Sequence, residues 1–273
     1  MLYCKEEKKM QHFWSTIIEP ILETINAKNI VEIGFGKGGN TINLLEFCIQ
    51  TGATLHAVDP SPKFDIAPWQ RRYSKHFIFH QSLSLNAIPL IDRFDVVLID
   101  GDHNWYTVFN ELKLIEKCCL NVVQCFPVIM LHDIGWPYGR RDLYYNPENI
   151  PKIYRKPYSL KGLIPGSLEL QEKGGLNRHL YNAIYENASQ NGVLTAVEDF
   201  LKETKQELEL LKIPGLCGLG ILVSRELIEE NKELMELLRS FELTPVVRRY
   251  IEKMEEMRIE LEIKLQKMEG TIL

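Results

Sequence analysis

The sequence predicts a doubly wound α/β fold, a largely parallel sheet covered by helices on both faces, and three observations predict it. Short apolar runs alternate with amphipathic stretches through the first half of the chain. A glycine cluster, "GFGKGG", follows the first apolar run and opens a helix. Acidic residues recur at the ends of the runs, where the carboxyl ends of parallel strands form a ligand crevice. A chain of 273 residues suffices for one such domain with additions.

Ahead of the sheet, Phe13, Ile17, Ile18, Ile21, Leu22 and Ile25 recur at helical spacing, giving an N-terminal helical segment over 1–27 with Pro20 as a kink point. "NIVEIGF" is the first strand, and "TINLLEFCIQTG" a helix closed by Gly52. "TLHAVDP" is the second strand and "HFIFHQS" the third, separated by "PWQRRYSK" as helix or loop. "RFDVVLIDGDH" is the fourth, "YTVFNELKLIEKCC" the helix after it, and "FPVIMLHD" the fifth. Residues 135–180 then lose all periodicity and are rich in Pro, Gly, Tyr and Arg. So long an irregular span inside a compact domain is functional or disordered, and its many aromatics favour function. It leaves the fifth strand beside Asp133, placed to serve as a lid over the crevice. "LYNAIYENASQNGVLTAVEDFLKE" is predicted as helices, and "LELLKIPGLCGLGILVS" as a hairpin around Pro214-Gly215 that completes seven strands by about residue 225. Two helices are expected over 226–273. The last carries an apolar stripe of Val247, Ile251, Met254, Met257, Leu261, Leu265 and Met268. Two readings of it stay open: packing on its own domain, or pairing with a second copy as a coiled coil.

Hydrophobic content of 45% with 25% charged residues fits a soluble globular protein, and a net charge of −5 gives no case for nucleic acid or an anionic membrane. No apolar run approaches the roughly 18 residues of a membrane-spanning helix, and the start lacks the apolar core of a signal peptide. A cytosolic location is expected. Cys4, Cys48, Cys118, Cys119, Cys125 and Cys217 include no pair at metal-knuckle or redox spacing, so most are expected to be reduced core residues.

Gly34-Phe-Gly36-Lys-Gly-Gly39 satisfies G-x-G-x-x-G between a strand and a helix, where main-chain N–H groups can meet a ligand. Asp59 follows Gly39 by 20 residues at the end of the second strand, where a carboxylate accepts from a ribose diol. Nicotinamide dinucleotides and S-adenosylmethionine both carry a ribose. Glu32 chooses between them: a carboxylate two residues before Gly34 suits a cationic sulfonium ligand and disfavours pyrophosphate. With "VEIGFGKGG" the sequence resembles the class I S-adenosylmethionine-dependent methyltransferases over about residues 28–224. The resemblance implies a Rossmann-like sheet whose last strand is antiparallel, with Glu32, Gly34, Gly36, Asp59, Ser82 and Asp102 at the cofactor.

Asp100-Gly-Asp102-His103 and His132-Asp133 end the fourth and fifth strands and open on one crevice. Carboxylates with imidazole at neighbouring strand ends can hold Mg²⁺ or Mn²⁺; alternatively Asp102 contacts the cofactor and His132 is a satisfied core histidine. "LIDGDHNWY…VIMLHD" resembles the family 24-type methyltransferases and their metal-dependent relatives that methylate catechols, caffeoyl-coenzyme A and macrolide sugars. That resemblance implies Asp100, Asp133 and the adjoining His132 as metal ligands and His103 as general base, with Asp100 also counted in the catalytic group. The pattern has an acidic pair or Asp-Asn at this strand end, and with His132 and Ile134 as the neighbours of Asp133 one expected oxygen ligand is missing. The expected activity is O-methylation of a small polar acceptor, a sugar or natural product. Arg140, Arg141, Lys152, Arg155 and Lys156, interleaved with Tyr138, Tyr144, Tyr145, Tyr154 and Tyr158, could receive an anionic glycan or single-stranded nucleic acid, the latter disfavoured by overall acidity. Two rival functions are a nicotinamide-dependent oxidoreductase, against which Glu32 counts, and a cofactor-binding scaffold without turnover assembled through residues 246–268.

Overall fold

The computed structural model describes residues 10–121 and 125–269. Cys4, the first nine residues of the N-terminal segment and the last four of the C-terminal one lie outside the described residues. Met10–Ile18 forms 3-10 and π turns that run into α1 (Glu19–Thr24). Then follow β1 (Asn29–Ile33), α2 (Gly39–Thr51), β2 (Thr54–Val58), α3 (Ala67–Arg72), β3 (Phe77–His80), α4 (Ser84–Ala87), β4 (Val96–Ile99), α5 (Trp105–Asn121) and β5 (Val128–His132). The strands join a seven-stranded sheet in the order β3-β2-β1-β4-β5-β10-β9, with β9 (Leu208–Ile213) and β10 (Leu219–Ser224) as the hairpin. β10 is antiparallel to both neighbours, and the pairs from β3 to β5 are parallel. All residues of β4, β5 and β10 are buried, because helices cover both faces, and so these strands read as apolar runs rather than alternations.

Beyond β5 the structure departs from the sequence reading. Tyr181–Ala183 is a strand, β8, pairing antiparallel with β6 (Leu143–Tyr144) and β7 (Tyr158–Ser159), where helix was expected. Buried Asn182 donates from its amide to the carbonyls of Lys161, Asn177 and Leu180, and Asn187, Gln190 and Gly192 adopt positive φ, which together prevent a helix before α6 (Val193–Glu203).

The C-terminal region is three helices rather than two: α7 (Arg225–Glu230), α8 (Lys232–Ser240) and α9 (Pro245–Glu269). Asn231 makes the extra break, accepting from the Leu234 N–H at 2.9 Å as an N-cap. On α9 the face packed against the domain carries Glu255, Arg258, Ile259, Glu262 and Gln266, while Val247, Met254, Met257, Leu261, Leu265 and Met268 face outward. Of the predicted stripe Ile251 alone is half-buried, beside Gly215, so of the two readings packing on the domain does not hold for the other six. Glu255 accepts from the Leu216 and Cys217 N–H groups and Gln266 from the Asn177 N–H, so polar contacts hold the helix down.

Candidate functional site

Strand order turns outward in both directions from β1 and β4, so the carboxyl ends of β1, β2, β4 and β5 meet at a topological switch point. The glycine loop closes one side. Gly34 has φ 88°, and a Cβ there would lie 2.2 Å from the Asp100 carbonyl oxygen, so only glycine lets β1 and β4 approach. The Gly36 N–H donates to Asp59 Oδ2 at 3.0 Å, and Ser61 N–H to Oδ1 at 2.8 Å. Asp59 is thus fixed beside the loop with lone pairs left over for a diol. Glu32 is buried and accepts from Asn40 Nδ2 at 2.9 Å and from the Thr41 hydroxyl, so its carboxylate organises the first turn of α2. Asn40 Oδ1, buried at the same junction, lacks a partner. Ser82 sits just past β3, half-buried. Asp102 accepts from the Thr107 hydroxyl at 3.4 Å, and burial raises its pKa.

The second group is tighter. Asp100, His103 and Asp133 bring one donor atom each within 4.8 Å of one another. His103 Nε2 is 3.5 Å from Asp100 Oδ1, and its Nδ1 is 3.2 Å from Asp133 Oδ2, neither contact with hydrogen-bond geometry. His132 Nδ1 lies 3.1 Å from Asp100 Oδ1 and 3.3 Å from Asp133 Oδ2, and its Nε2 is 2.8 Å from the Leu216 carbonyl. A carbonyl only accepts, so Nε2 carries a proton and Nδ1 presents either a second proton or a lone pair to the two carboxylates. Burial works against charging His132, yet Asp100 and Asp133 lift its pKa to about 10. Burial would likewise raise Asp133, but His103 and His132 hold it at about 2. His103 is raised, the pull of Asp133 and Asp100 outweighing desolvation. Two carboxylates facing imidazole nitrogens suit a divalent cation; the compact group includes His103 and not the expected His132, whose Nδ1 nonetheless faces both carboxylates.

The segment after β5 walls the cleft above this group with Tyr138, Tyr145, Leu176 and Asn177, and α9 contributes Glu262. Tyr138 and Tyr145 have ring centroids 5.8 and 5.9 Å from that of His103. Leu143 N–H donates to the His103 carbonyl, and Asp142 accepts from Trp105 N–H at 2.7 Å and Gly192 N–H at 2.6 Å, which ties the segment to the start of α5. Its arginines are committed elsewhere. Arg140 makes a bidentate pair with Glu198, buried Arg141 bonds Glu186 and three carbonyls, and Arg155 pairs with Glu148, so these three do not form the anion-binding face their spacing suggested. Sequence reasoning missed the supports of the crevice. Phe64 and Trp69 press on Gly38, Gln11 packs at Gly39, and Phe13 meets His132 edge-on at 6.2 Å. An apolar helical stripe signalled Phe13, but as core; nothing signalled Gln11.

Residues 31–134 match a family model described as a methyltransferase domain. No curated protein matches the chain. Among solved structures, the S-adenosylhomocysteine-bound methyltransferase PaMTH1 of Podospora anserina is 16% identical, with 76% of each chain covered and a TM-score of 0.45. The Burkholderia thailandensis 1,6-didemethyltoxoflavin-N1-methyltransferase, with its substrate and S-adenosylhomocysteine, is 14% identical over 80% of this chain and 79% of that one, TM-score 0.45. The MycE methyltransferase of the mycinamycin pathway, in complex with Mg, S-adenosylhomocysteine and mycinamycin VI, is 15% identical over 48% of this chain and 34% of that one, TM-score 0.32. No helix among the described residues is long and apolar enough to cross a membrane.

Proposed function

We propose that this chain, whose residues 31–134 match a methyltransferase-domain model, is dependent on S-adenosylmethionine and methylates a hydroxyl on a small polar molecule, a sugar or natural product. The observation that carries the reading is His103, buried between Asp100 and Asp133 at the floor of an aromatic-walled cleft beside the glycine loop. Asp59 is assigned to the ribose diol, Gly34 and Gly36 to the close backbone approach of the amino-acid end, and Ser82 and Asp102 to the adenosine flank. The cofactor supplies an activated methyl for in-line displacement. The chain then has three tasks: to align the acceptor oxygen, to take its proton and to keep water out. Asp133 beside Nδ1 keeps that nitrogen protonated, which leaves His103 Nε2 as the atom that accepts the proton. Tyr138 and Tyr145 orient a flat or ring-shaped acceptor, and with the arginines paired off, an uncharged polyol fits better than an anionic glycan.

A divalent cation, Mg²⁺ or Mn²⁺, would be held by Asp100, Asp133 and His132, and would position a vicinal diol and acidify the attacked hydroxyl. In the test, S-adenosylhomocysteine release is measured against a panel of polyols and catechols, and cofactor affinity by calorimetry. His103→Ala should lower turnover by about 10²–10⁴-fold, the usual worth of a general base, and leave cofactor affinity unchanged. Full activity in that variant would sink the base assignment.

A further inference from the structure

We propose that α9 is a self-association element that pairs antiparallel with α9 of a second copy of this chain. Tyr250, Met254, Met257, Leu261, Leu265 and Met268 are each between 50 and 66% exposed, on a helix whose opposite face is already docked. All but Leu265 fall, with Val247 and Lys264, into two interleaved rows of period seven: Val247, Met254, Leu261, Met268, and Tyr250, Met257, Lys264. Such rows form a left-handed coiled-coil seam. The docked residues Ile259 and Gln266 occupy the heptad position farthest from these rows, so the seam points away from the domain and two copies can meet without their domains colliding. The stripe runs roughly 30 Å at 1.5 Å per residue. Half of each large side chain along it sums to several hundred Å², on the order of the 800 Å² per partner of a stable interface. Exposed apolar patches of that extent are uncommon on monomers.

Charge settles both the occupant and its direction. Lys253 and Glu260 flank the seam on one side and are both exposed. In an antiparallel pair centred on Met254 and Met257, Met254 meets Met257 of the second copy and Tyr250 meets Leu261, while Lys253 stands opposite Glu260, and each contact occurs twice through the two-fold axis. Lys264 then faces Val247 and reaches solvent along its stem. A parallel pair would instead stack Lys264 on its own copy and set Lys253 against Arg258. The surface is therefore complementary to itself in one direction only.

Sedimentation equilibrium of the full chain tests this, with circular dichroism melting to confirm folding. The wild type should show twice the monomer mass at micromolar concentration, and Leu261→Glu, at an outward position, should be a folded monomer. Lys253→Glu and Glu260→Lys should each weaken the dimer about tenfold by turning two attractive pairs repulsive, and the double variant should restore it. A monomeric wild type at roughly 100 µM, a concentration far above typical interface affinities, would overturn the proposal. So would a Lys253→Glu variant that dimerises as well as or better than wild type, the result a parallel pair or a different face gives.

Discussion

Asp133 has φ 60°, a left-handed conformation that residues with a Cβ adopt at a cost, and its carboxylate is buried against two histidines. The segment that follows it is tied to the start of α5 by Asp142. Its carboxylate accepts from Trp105 N–H, Gly192 N–H and the Tyr144 hydroxyl, and the next residue bonds the His103 carbonyl. Asp142→Ala strands two buried N–H groups, at about 1–3 kcal/mol each, so chemical denaturation should show a loss of roughly 2–5 kcal/mol. Glu111 acts in the opposite sense. It is fully buried, neither oxygen meets a donor in good hydrogen-bond geometry, and burial, softened by the nearby Ser84 hydroxyl, pushes its pKa to about 8. The unfolded chain releases this proton near pH 4.5, the folded one only near 8, so between those values the native state binds more protons and stability falls as pH rises. At about 1.4 kcal/mol per pH unit, the loss between pH 4.5 and pH 7 is on the order of 3–4 kcal/mol. Glu111→Gln should flatten the stability profile between pH 5 and 8 in urea titrations; an unchanged slope would place the titration elsewhere.

Among the elements, α9 reaches the site through one turn. Glu255 accepts from Leu216 N–H at 3.0 Å and Cys217 N–H at 2.8 Å, Arg258 holds that carboxylate, and the Leu216 carbonyl receives His132 Nε2. Leu216 and Cys217 both have positive φ, so the turn depends on the helix to keep its shape. Glu255→Ala should therefore displace His132 and reduce turnover by about tenfold or more, since misplacement near 1 Å is worth that much, while cofactor affinity by calorimetry stays unchanged. An equal loss of cofactor binding would mean general damage to the fold. None of this could be read from the sequence. Apolar periodicity gives the stripe of a helix, not the side it turns to the domain, and here Ile259 docks among charged and amide side chains that lie off the stripe. The small sheet escaped for a related reason: β6, β7 and β8 have two or three residues each and pair across roughly twenty-five to forty positions, too short and too distant to leave a period. By contrast the main strands were legible, because burial on both faces writes itself as a local apolar run, and each strand-end acid followed its own run.

At the scale of the molecule, the parallel sheet gathers acids that lie far apart in the chain, Asp59, Asp100, Asp102 and Asp133, onto a single rim. The chain then covers that rim from three directions, with Phe13 from before the sheet, Tyr138 and Tyr145 from the segment after β5, and Glu262 from α9. Which strand ends carry acids was evident in the sequence; what covers them was not, because covering residues need only be apolar or polar in the right place. A cation held at the proposed site of two carboxylates and imidazole would couple native stability to its concentration. An ion that binds only the folded state stabilises it by RT ln(1 + [L]/Kd), about 2.7 kcal/mol at a hundredfold excess over Kd. For a domain of this size that corresponds to an upward shift in melting temperature of roughly 5–10 °C. Mn²⁺ or Mg²⁺ should raise the melting temperature of the wild type by that order, and Asp100→Asn or Asp133→Asn should abolish the shift. His132→Ala should weaken it, whereas His103→Ala, which removes the base and spares the ligands, should keep it. Loss of the shift in His103→Ala alone would move His103 from base to ligand, and no shift with either cation would leave protonated His132 as the cation between the two carboxylates.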